Sequence, residues 1–309
     1  MAELIIAMID NGALAPRSRV PSVRALSEQH SVSISTALQA CRMLEDRELI
    51  VARPRSGFYV APKQHSAFAL PSATRPRAKA SAVSISGAVA GLLEYSSNPA
   101  YLPFGCAVPD GALLEAKRLD QLLARAARRH GARYNVYGTP QGDPALRGEI
   151  AKRAIRVGHR LAPDDVVITS GCTEALTLAL TAVARPGDTI AVEAPTYMGL
   201  LHTLEMLGLK AVELPTDPIR GIDVASVARL LETERVAAFA LASGFNNPLG
   251  STMAEADKRA LLDVLARYDI PLIEDDVYGD LHFGRERPKP FIALDGGANT
   301  IYCSSFSKS

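Results

Sequence analysis

The stretch Pro271–Tyr278, PLIEDDVY, places an apolar run directly before a group of acidic residues, and similar runs recur through the second part of the chain. Short β-rich runs alternate there with longer helical stretches, a pattern typical of βαβ units. The predicted strands are Val166–Thr169, Thr189–Val192, Ala237–Ala242, Pro271–Glu274 and Thr300–Ser304. The predicted helices are Glu174–Val183, Met198–Leu207, Val224–Glu232 and Ala254–Tyr268. Residues 81–309 are therefore predicted to form an α/β domain with a mixed, mostly parallel sheet.

The length and the charge distribution indicate two domains of different character. A chain of 309 residues exceeds the roughly 250–300 at which one hydrophobic core stops growing. Residues 1–80 contain 11 Lys and Arg against 6 Asp and Glu, a net charge of +5, whereas residues 81–309 contain 23 against 27, a net charge of −4. A small basic domain joined to a larger one suggests a nucleic-acid-binding module beside a domain for another ligand.

The composition excludes several classes of protein. Hydrophobic residues make up 48% of the chain and charged residues 22%, and no apolar run is long enough to cross a bilayer, so we expect neither a membrane protein nor a disordered chain. The first ten residues, MAELIIAMID, lack the features of a secretory signal, which predicts a cytoplasmic protein. The four cysteines are widely spaced without a CxxC pair, which argues against a disulfide framework and a structural zinc site.

The first 60 residues have the pattern of a winged helix-turn-helix. Helical periodicity covers Ala2–Ile9, Val23–His30 and Ser33–Glu45, and two short strands, 49–51 and 58–60, flank the turn RPRSG at 53–57. Hydroxyls cluster at the start of the third helix, where they could meet phosphates, and arginines lie on the second helix and the wing. The alternative is that the first serine only caps its helix and that the arginines form a solvated face.

Residues 61–80, APKQHSAFALPSATRPRAKA, have the composition of a linker. They contain three prolines and four basic residues, with no acidic residue and no sustained apolar period. The chain is therefore predicted to divide into a DNA-binding domain at 1–60, a linker at 61–80 and an α/β domain at 81–309.

Five short motifs follow predicted strands of the α/β domain, at the edge where parallel sheets bind ligands. They are SGCTEAL at 170–176, EAPTY at 193–197, NNPLG at 246–250, IEDDVY at 273–278 and SSFSKS at 304–309. Taken singly, the glycine turn, the tyrosine and the lysine each have an ordinary structural or surface explanation. A carboxylate buried at a strand end, however, needs a cationic partner, and a protonated ring nitrogen would supply one. A positioned, desolvated lysine amine can react with a carbonyl group.

The segment RVPSVRALSEQHSVSISTALQACRMLEDRELIVARPRSGFYV, residues 19–60, resembles the DNA-binding domain of the GntR family along nearly its whole length. The matches are the Pro-Ser-x-Arg at the second helix, the V-S-x-S-T of the third helix and the RxxSGxYV of the wing. The resemblance implies a dimer that binds operator DNA. It assigns DNA contacts to Arg24, Ser33, Ser35, Thr36, Arg55 and Gly57.

The ordered set of motifs, from about Leu102 to the last residue, resembles the fold-type I aminotransferases, which hold pyridoxal 5′-phosphate. The resemblance implies that Lys308 binds the cofactor covalently and that Asp275 keeps the ring nitrogen protonated. Asn247 and Tyr278 would bond the ring hydroxyl, and Tyr197 would stack on the ring. The phosphate would be held by Cys172, Thr173, Ser305 and, from the neighbouring subunit, Tyr137, which implies a head-to-tail homodimer.

A GntR-type domain joined to an aminotransferase-like domain is the architecture of the MocR subgroup of bacterial regulators, and the chain resembles one. The resemblance implies a transcriptional regulator that responds to pyridoxal phosphate or to an amino compound that reacts with it. The alternatives are an amino acid aminotransferase and a DNA-binding protein whose second domain only dimerises. Because family members continue beyond the lysine into a small domain that clamps the substrate carboxylate, we expect this chain to lack that domain, to bind the cofactor weakly and to show no transaminase turnover. A second departure is Ala107, where the family commonly has glycine.

Overall fold

The computed structural model describes residues 1–54, 56–61, 71–102, 107–295 and 299–308. Contacts within the chain divide it into two compact units, Met1–Leu70 and Pro71–Ser309. Within the described ranges, no helix is both long enough and apolar enough to cross a membrane.

The first unit consists of three helices followed by a two-stranded antiparallel hairpin. The helices are α1 (Ala2–Asp10), α2 (Val23–Gln29) and α3 (Ile34–Asp46), and the strands are β1 (Ile50–Arg53) and β2 (Gly57–Val60). The apolar face of α3 packs against the other elements in a core that includes Ile5, Leu26, Ala37, Cys41, Leu44 and Ile50. The predicted winged helix-turn-helix is confirmed.

The second unit is built on a seven-stranded sheet. Its strands are β3 (Ser81–Ala82), β4 (Thr189–Ala194), β5 (Lys210–Asp217), β6 (Gly221–Ile222), β7 (Ala238–Leu241), β8 (Leu272–Asp275) and β9 (Thr300–Cys303). The order is β3-β5-β4-β7-β8-β9, with β6 paired to β5. The pairs β4–β5, β4–β7, β7–β8 and β8–β9 are parallel, and β3 and β6 are antiparallel to β5, so the predicted sheet type is confirmed.

Eight α-helices accompany this sheet within the described residues. They are α4 (Ser86–Ser97), α5 (Ala116–His130), α6 (Pro144–Arg156), α7 (Cys172–Val183), α8 (Met198–Met206), α9 (Val224–Leu231), α10 (Glu255–Arg267) and α11 (Ile292–Asp295). Alternate residues of the central strands enter two separate apolar clusters. Ala191 and Phe239 belong to one, whereas Ile190 and Ala240 belong to the other. Both faces of β4 and β7 are therefore covered, as expected for parallel strands.

The predicted strand Val166–Thr169 is wrong. No regular strand forms there, and the Ile168 amide donates to the carbonyl of Gln141 at 2.9 Å instead of to a sheet neighbour. A strand exists only where a second strand offers its hydrogen-bonding edge. Among the described strands, none pairs with residues 166–169.

The chain that enters the second unit lies along the edge strand β5. Thr74 Oγ1 donates to the carbonyl of Ala194 at 2.6 Å and accepts from the Thr216 amide at 3.0 Å, while its own amide donates to the Thr216 carbonyl at 3.2 Å. Further along, Ser81 and Ala82 form β3. This segment covers part of the otherwise open edge of the sheet.

Candidate cofactor pocket and nucleic-acid surface

Four of the predicted pocket residues lie at the carboxyl ends of neighbouring parallel strands or just after them. Asp275 is the last residue of β8 and Tyr278 follows it, while Asn247 follows β7 and Lys308 follows β9. In a parallel sheet these ends share one edge, where a ligand can be contacted by several loops at once.

Asp275 is a partly buried carboxyl group that lacks a compensating cation among the described residues. Burial raises its pKa to about 6, although hydrogen bonds from Cys172 and from the Val277 amide oppose the rise. The Cys172 thiol donates to Asp275 Oδ1 at 3.5 Å, and burial raises the pKa of this thiol well above its usual range. Within the described ranges, no lysine or arginine forms an ion pair with Asp275. A protonated ring nitrogen is the kind of group that this carboxylate would stabilise.

The polar groups predicted to surround a cofactor ring lie next to one another. Asn247 Nδ2 donates to Tyr278 Oη at 3.4 Å, and Lys308 Nζ lies 5.9 Å from the centre of the Tyr278 ring. The Lys308 amine donates to the carbonyl of Ala107. Tyr197 precedes α8, and its ring lies so close to Gly199 that a Cβ at that position would overlap it.

The start of α7 has the features of an anion site. Gly171 precedes the helix with φ of +95°, a backbone conformation that glycine adopts without strain. No side chain caps this end, so the first amides of the helix, which include those of Cys172 and Thr173, are available to a phosphate. Sequence reasoning assigned Cys172 to the phosphate through its backbone, and the structure adds the contact of its side chain with Asp275.

The two other predicted phosphate ligands form no hydrogen bond with this helix start among the described residues. The Ser305 hydroxyl shares a hydrogen bond with the Ser307 hydroxyl and accepts from the Ser307 amide at 3.0 Å, so it belongs to the turn that precedes Lys308. Tyr137 is fully exposed. Its assignment to a neighbouring subunit stays a prediction.

Sequence reasoning missed a buried ionic network behind the pocket. Arg287 Nη2 pairs with the buried carboxylate of Asp276, and Arg287 Nε pairs with Asp280 at 2.8 Å. The Tyr302 hydroxyl donates to Asp276 Oδ2 at 2.7 Å, and Ser304 Oγ donates to its carbonyl at 2.9 Å. The network ties the end of β8 to the segment that leads to Lys308. The consecutive acids Asp275 and Asp276 were the available signal, because neighbouring residues at a strand end point to opposite sides and each needs its own partner.

Two further carboxyl groups are buried in the same sheet. Burial raises the pKa of Glu193 to about 8, although Glu193 Oε2 accepts from the Ala242 amide at 2.9 Å. Burial also raises the pKa of Glu274 to about 7, and this side chain accepts from Ser243 Oγ at 2.7 Å and from the Phe291 amide at 2.8 Å. Burial therefore raises the pKa of both groups to values near neutral pH.

The predicted hydroxyl cluster of the first unit forms at the start of α3. Ser33 Oγ lies 2.7 Å from Ser35 Oγ and 2.8 Å from Thr36 Oγ1, and it accepts from the Thr36 amide at 3.1 Å. Ser33 therefore caps the helix, as the structural alternative expected, while the cluster stays exposed. Arg24 is exposed in the first turn of α2.

The wing places one further arginine beside a predicted contact. Gly57 begins β2 with φ of +98°, and a Cβ there would lie 3.7 Å from the guanidinium of Arg19. The backbone of Arg19 also forms an isolated antiparallel β-bridge with Tyr59 of β2. Sequence reasoning missed this contact because Arg19 precedes α2 in the chain. The predicted contact Arg55 lies outside the described residues.

Comparison with known proteins identifies both units. Residues 106–309 match the family model for aminotransferase class I and II, and residues 1–60 match that for bacterial regulatory proteins of the gntR family. The chain is 38% identical over 309 residues to the HTH-type transcriptional regulators YdcR and YjiR of Escherichia coli. The matches cover 100% of this chain and 65% and 66% of those proteins, so the chain spans slightly less than two thirds of their length.

Solved aminotransferases share the fold of the second unit. The kynurenine aminotransferase of Pyrococcus horikoshii, solved in complex with PMP, matches with a TM-score of 0.65 and 28% identity over 72% of this chain and 56% of its own. LysN, the α-aminoadipate aminotransferase of Thermus thermophilus, was solved with N-(5′-phosphopyridoxyl)-L-leucine. It matches with a TM-score of 0.61 and 27% identity over 73% of this chain and 59% of its own. The chain belongs to the aminotransferase class I and II family and carries an amino-terminal gntR-family domain, the combination found in the MocR subgroup.

Proposed function

We propose that this protein is a DNA-binding transcriptional regulator whose activity responds to pyridoxal 5′-phosphate or to an amino compound that reacts with it. The observation that carries the proposal is the presence, in one chain, of a gntR-family domain and of an aminotransferase-family pocket that contains Asp275, Tyr278 and Lys308. The relatives named as transcriptional regulators support it, because they match over the full length of this chain.

The residues of the pocket fit pyridoxal phosphate. The partly buried carboxylate of Asp275 has no cationic partner among the described residues, and the open start of α7 suits a phosphate. When bound, the cofactor supplies a carbonyl group that reacts with amines and a ring that withdraws electrons. Cys172 and Thr173 would hold its phosphate with their amides, and Lys308 would attach it covalently.

The remaining residues would orient the cofactor. Asp275 would hold a proton on the ring nitrogen, and the Cys172 thiol would fix the orientation of that carboxylate through the bond seen here. Asn247 and Tyr278 would direct their polar groups at the ring hydroxyl, while Tyr197 would cover one face of the ring. Lys308, whose amine donates to the carbonyl of Ala107, would hold the cofactor from the side of this segment.

The first unit would bind operator DNA as part of a homodimer in the cytoplasm. In a winged helix-turn-helix the third helix lies in the major groove and the wing contacts the flanking backbone. The exposed hydroxyls at the start of α3 and the guanidinium of Arg24 would contact phosphates, with Arg55 and Gly57 on the wing. A head-to-tail arrangement would bring Tyr137 of each subunit to the pocket of the other.

An absorbance spectrum of the full chain with added pyridoxal phosphate tests the cofactor half of this proposal. We expect a red-shifted band that is absent from Lys308→Ala and present in the control Lys152→Ala, which removes an exposed lysine. A spectrum identical in the wild type and in Lys308→Ala would contradict the assignment of the site.

Fluorescence anisotropy with labelled DNA from the promoter region of the gene tests the other half. We expect the wild type to bind this DNA and Arg24→Gln to bind it more weakly. We also expect pyridoxal phosphate, added together with one of the twenty amino acids, to change the DNA affinity of the wild type but not that of Lys308→Ala. Steady transamination of any of these amino acids without an effect on DNA binding would favour the aminotransferase alternative.

A further inference from the structure

Helix α5, AKRLDQLLARAARRH, carries a row of positive charge that is separate from its apolar side. It contains five Lys and Arg residues and one acidic residue, a net charge of +4 with His130 neutral. At 100° per residue, all five basic residues fall within an arc of about 120° around the helix axis. They are Lys117, Arg118, Arg125, Arg128 and Arg129. Leu119, Leu122 and Leu123 lie outside this arc, and Asp120 is also outside it.

The five cations of this basic row have no partner within the chain. All five are exposed, and none forms an ion pair or a side-chain hydrogen bond within the part of the chain that the structure describes. Some exposed arginines on other helices of the second unit are neutralised locally, as in Arg229 with Asp223 and Arg259 with Glu255. Residues 81–309 have a net charge of −4, so the row is a local reversal of the charge of this domain.

We propose that the basic row of α5 binds the phosphate backbone of DNA, as a sequence-independent contact made by the second unit. Arg118 and Arg129 are eleven residues apart, which at 1.5 Å per residue is about 16 Å along the helix. Over the same length of duplex axis, one strand carries about five phosphates at roughly 3.4 Å each. Arginine side chains suit this partner because the guanidinium group bonds phosphate oxygens in pairs.

The gntR-family domain of the same chain favours DNA over an anionic membrane as the partner of the basic row. The centre of the basic arc is about 130° away from the centre of the three leucines, an arrangement also found in helices that lie on a bilayer. The choice of DNA therefore rests on the domain that accompanies the helix. The inference rests on the proposed function, because it assumes that the chain binds DNA.

The test compares two triple variants of the full chain that lose the same charge. Arg118→Gln, Arg125→Gln and Arg129→Gln remove one side of the row, and glutamine keeps the helix propensity. The control, Arg160→Gln, Arg235→Gln and Arg267→Gln, removes three exposed arginines from other parts of the second unit. Affinity for a random-sequence DNA duplex is measured by anisotropy between 50 and 200 mM salt. Circular dichroism checks that both variants are folded.

We expect the α5 variant to bind roughly tenfold or more weakly at the lowest salt. We also expect it to reduce the slope of log K against log salt by up to about 2.7, because each phosphate that an arginine no longer neutralises lowers the slope by about 0.9. We expect the control to keep the wild-type slope. Equal slopes in the two triple variants would overturn the inference. So would binding of phosphatidylserine vesicles that the α5 variant loses while its DNA slope is unchanged.

The variant Arg24→Gln separates this inference from the proposed function. If the wild type binds promoter DNA and only Arg24→Gln weakens binding, the basic row has no role and the proposed function stands. If only the α5 variant weakens binding, the row contacts DNA and the assignment of the first unit fails. If the wild type binds no DNA at any salt, both fail.

Discussion

Replacing Glu193 by glutamine is expected to remove much of the pH dependence of the stability of the second unit. The side chain lies at the buried end of β4, only 2% exposed, and it accepts a hydrogen bond from the Ala242 amide. Burial raises its pKa from 4.5 to about 8. Glutamine has nearly the same shape and can accept the same hydrogen bond, but it cannot ionise.

The sign and the size of the effect follow from this raised pKa. Between pH 4.5 and about 8 the folded protein holds a proton at Glu193 that the unfolded chain has lost, so stability falls as the pH rises through this window. At about 1.4 kcal/mol per pKa unit, the full difference is on the order of 5 kcal/mol above pH 8, as an upper bound. Below pH 4.5 both states are protonated and the contribution disappears.

The measurement is urea unfolding of the full chain at pH 5, 7 and 9, followed by far-ultraviolet circular dichroism because the chain has no tryptophan. Relative to the wild type, we expect Glu193→Gln to gain on the order of 2–5 kcal/mol between pH 5 and pH 9. The matched control is Glu213→Gln, an exposed position on the adjacent strand β5 that should leave the pH profile unchanged. A Glu193→Gln profile parallel to that of the wild type would refute the reasoning. Residual pH dependence is expected from Glu274 and Asp275.

Three further substitutions test other parts of the structure by the free energy of unfolding. Arg287→Met leaves the buried carboxylate of Asp276 unpaired and should lower the free energy of unfolding by on the order of 3–5 kcal/mol. Adding Asp276→Leu should recover part of this loss, because no buried charge then remains. If nothing is recovered, the lost ion pair is not the cause of the destabilisation. Ser33→Ala removes the cap of α3 and should destabilise the first unit by about 1 kcal/mol, an expectation that an unchanged melting temperature would contradict. Gly171→Ala should lower the free energy of unfolding by about 1–2 kcal/mol. The cost comes from the positive φ alone, because no atom lies within 4 Å of the added Cβ. The control Gly148→Ala, inside α6, should stabilise its helix.

Much of the fold was predictable because the relevant signals are local. The apolar period of α3 and the serine before it predict a helix that the structure begins at Ile34, directly after the Ser33 cap. The run before Asp275 predicts a buried parallel strand, and β8 covers Leu272–Asp275. The order of motifs along the chain also predicts that Asn247, Asp275 and Lys308 come to one edge, because parallel strands all end on the same side of a sheet.

Other features depended on residues that are distant in the sequence. Residues 166–169 have the composition of a strand, but no described strand offers them a hydrogen-bonding edge. The partner of Asp276 is Arg287, eleven residues later in a loop, and no periodicity predicts such a pair. Thr74 lies in a segment with linker composition, yet three hydrogen bonds hold it on Ala194 and Thr216.

The sequence by itself determined the two modules, the type of sheet and the identity of the groups at the strand ends, because propensity, period and motif order are properties of neighbouring residues. Only the tertiary structure decided which carboxyl groups are buried without a cation, which strand lacks a neighbour and which face of α5 carries unpaired charge. Burial and pairing are set by every element that packs around a group, so they appear only once the chain has folded.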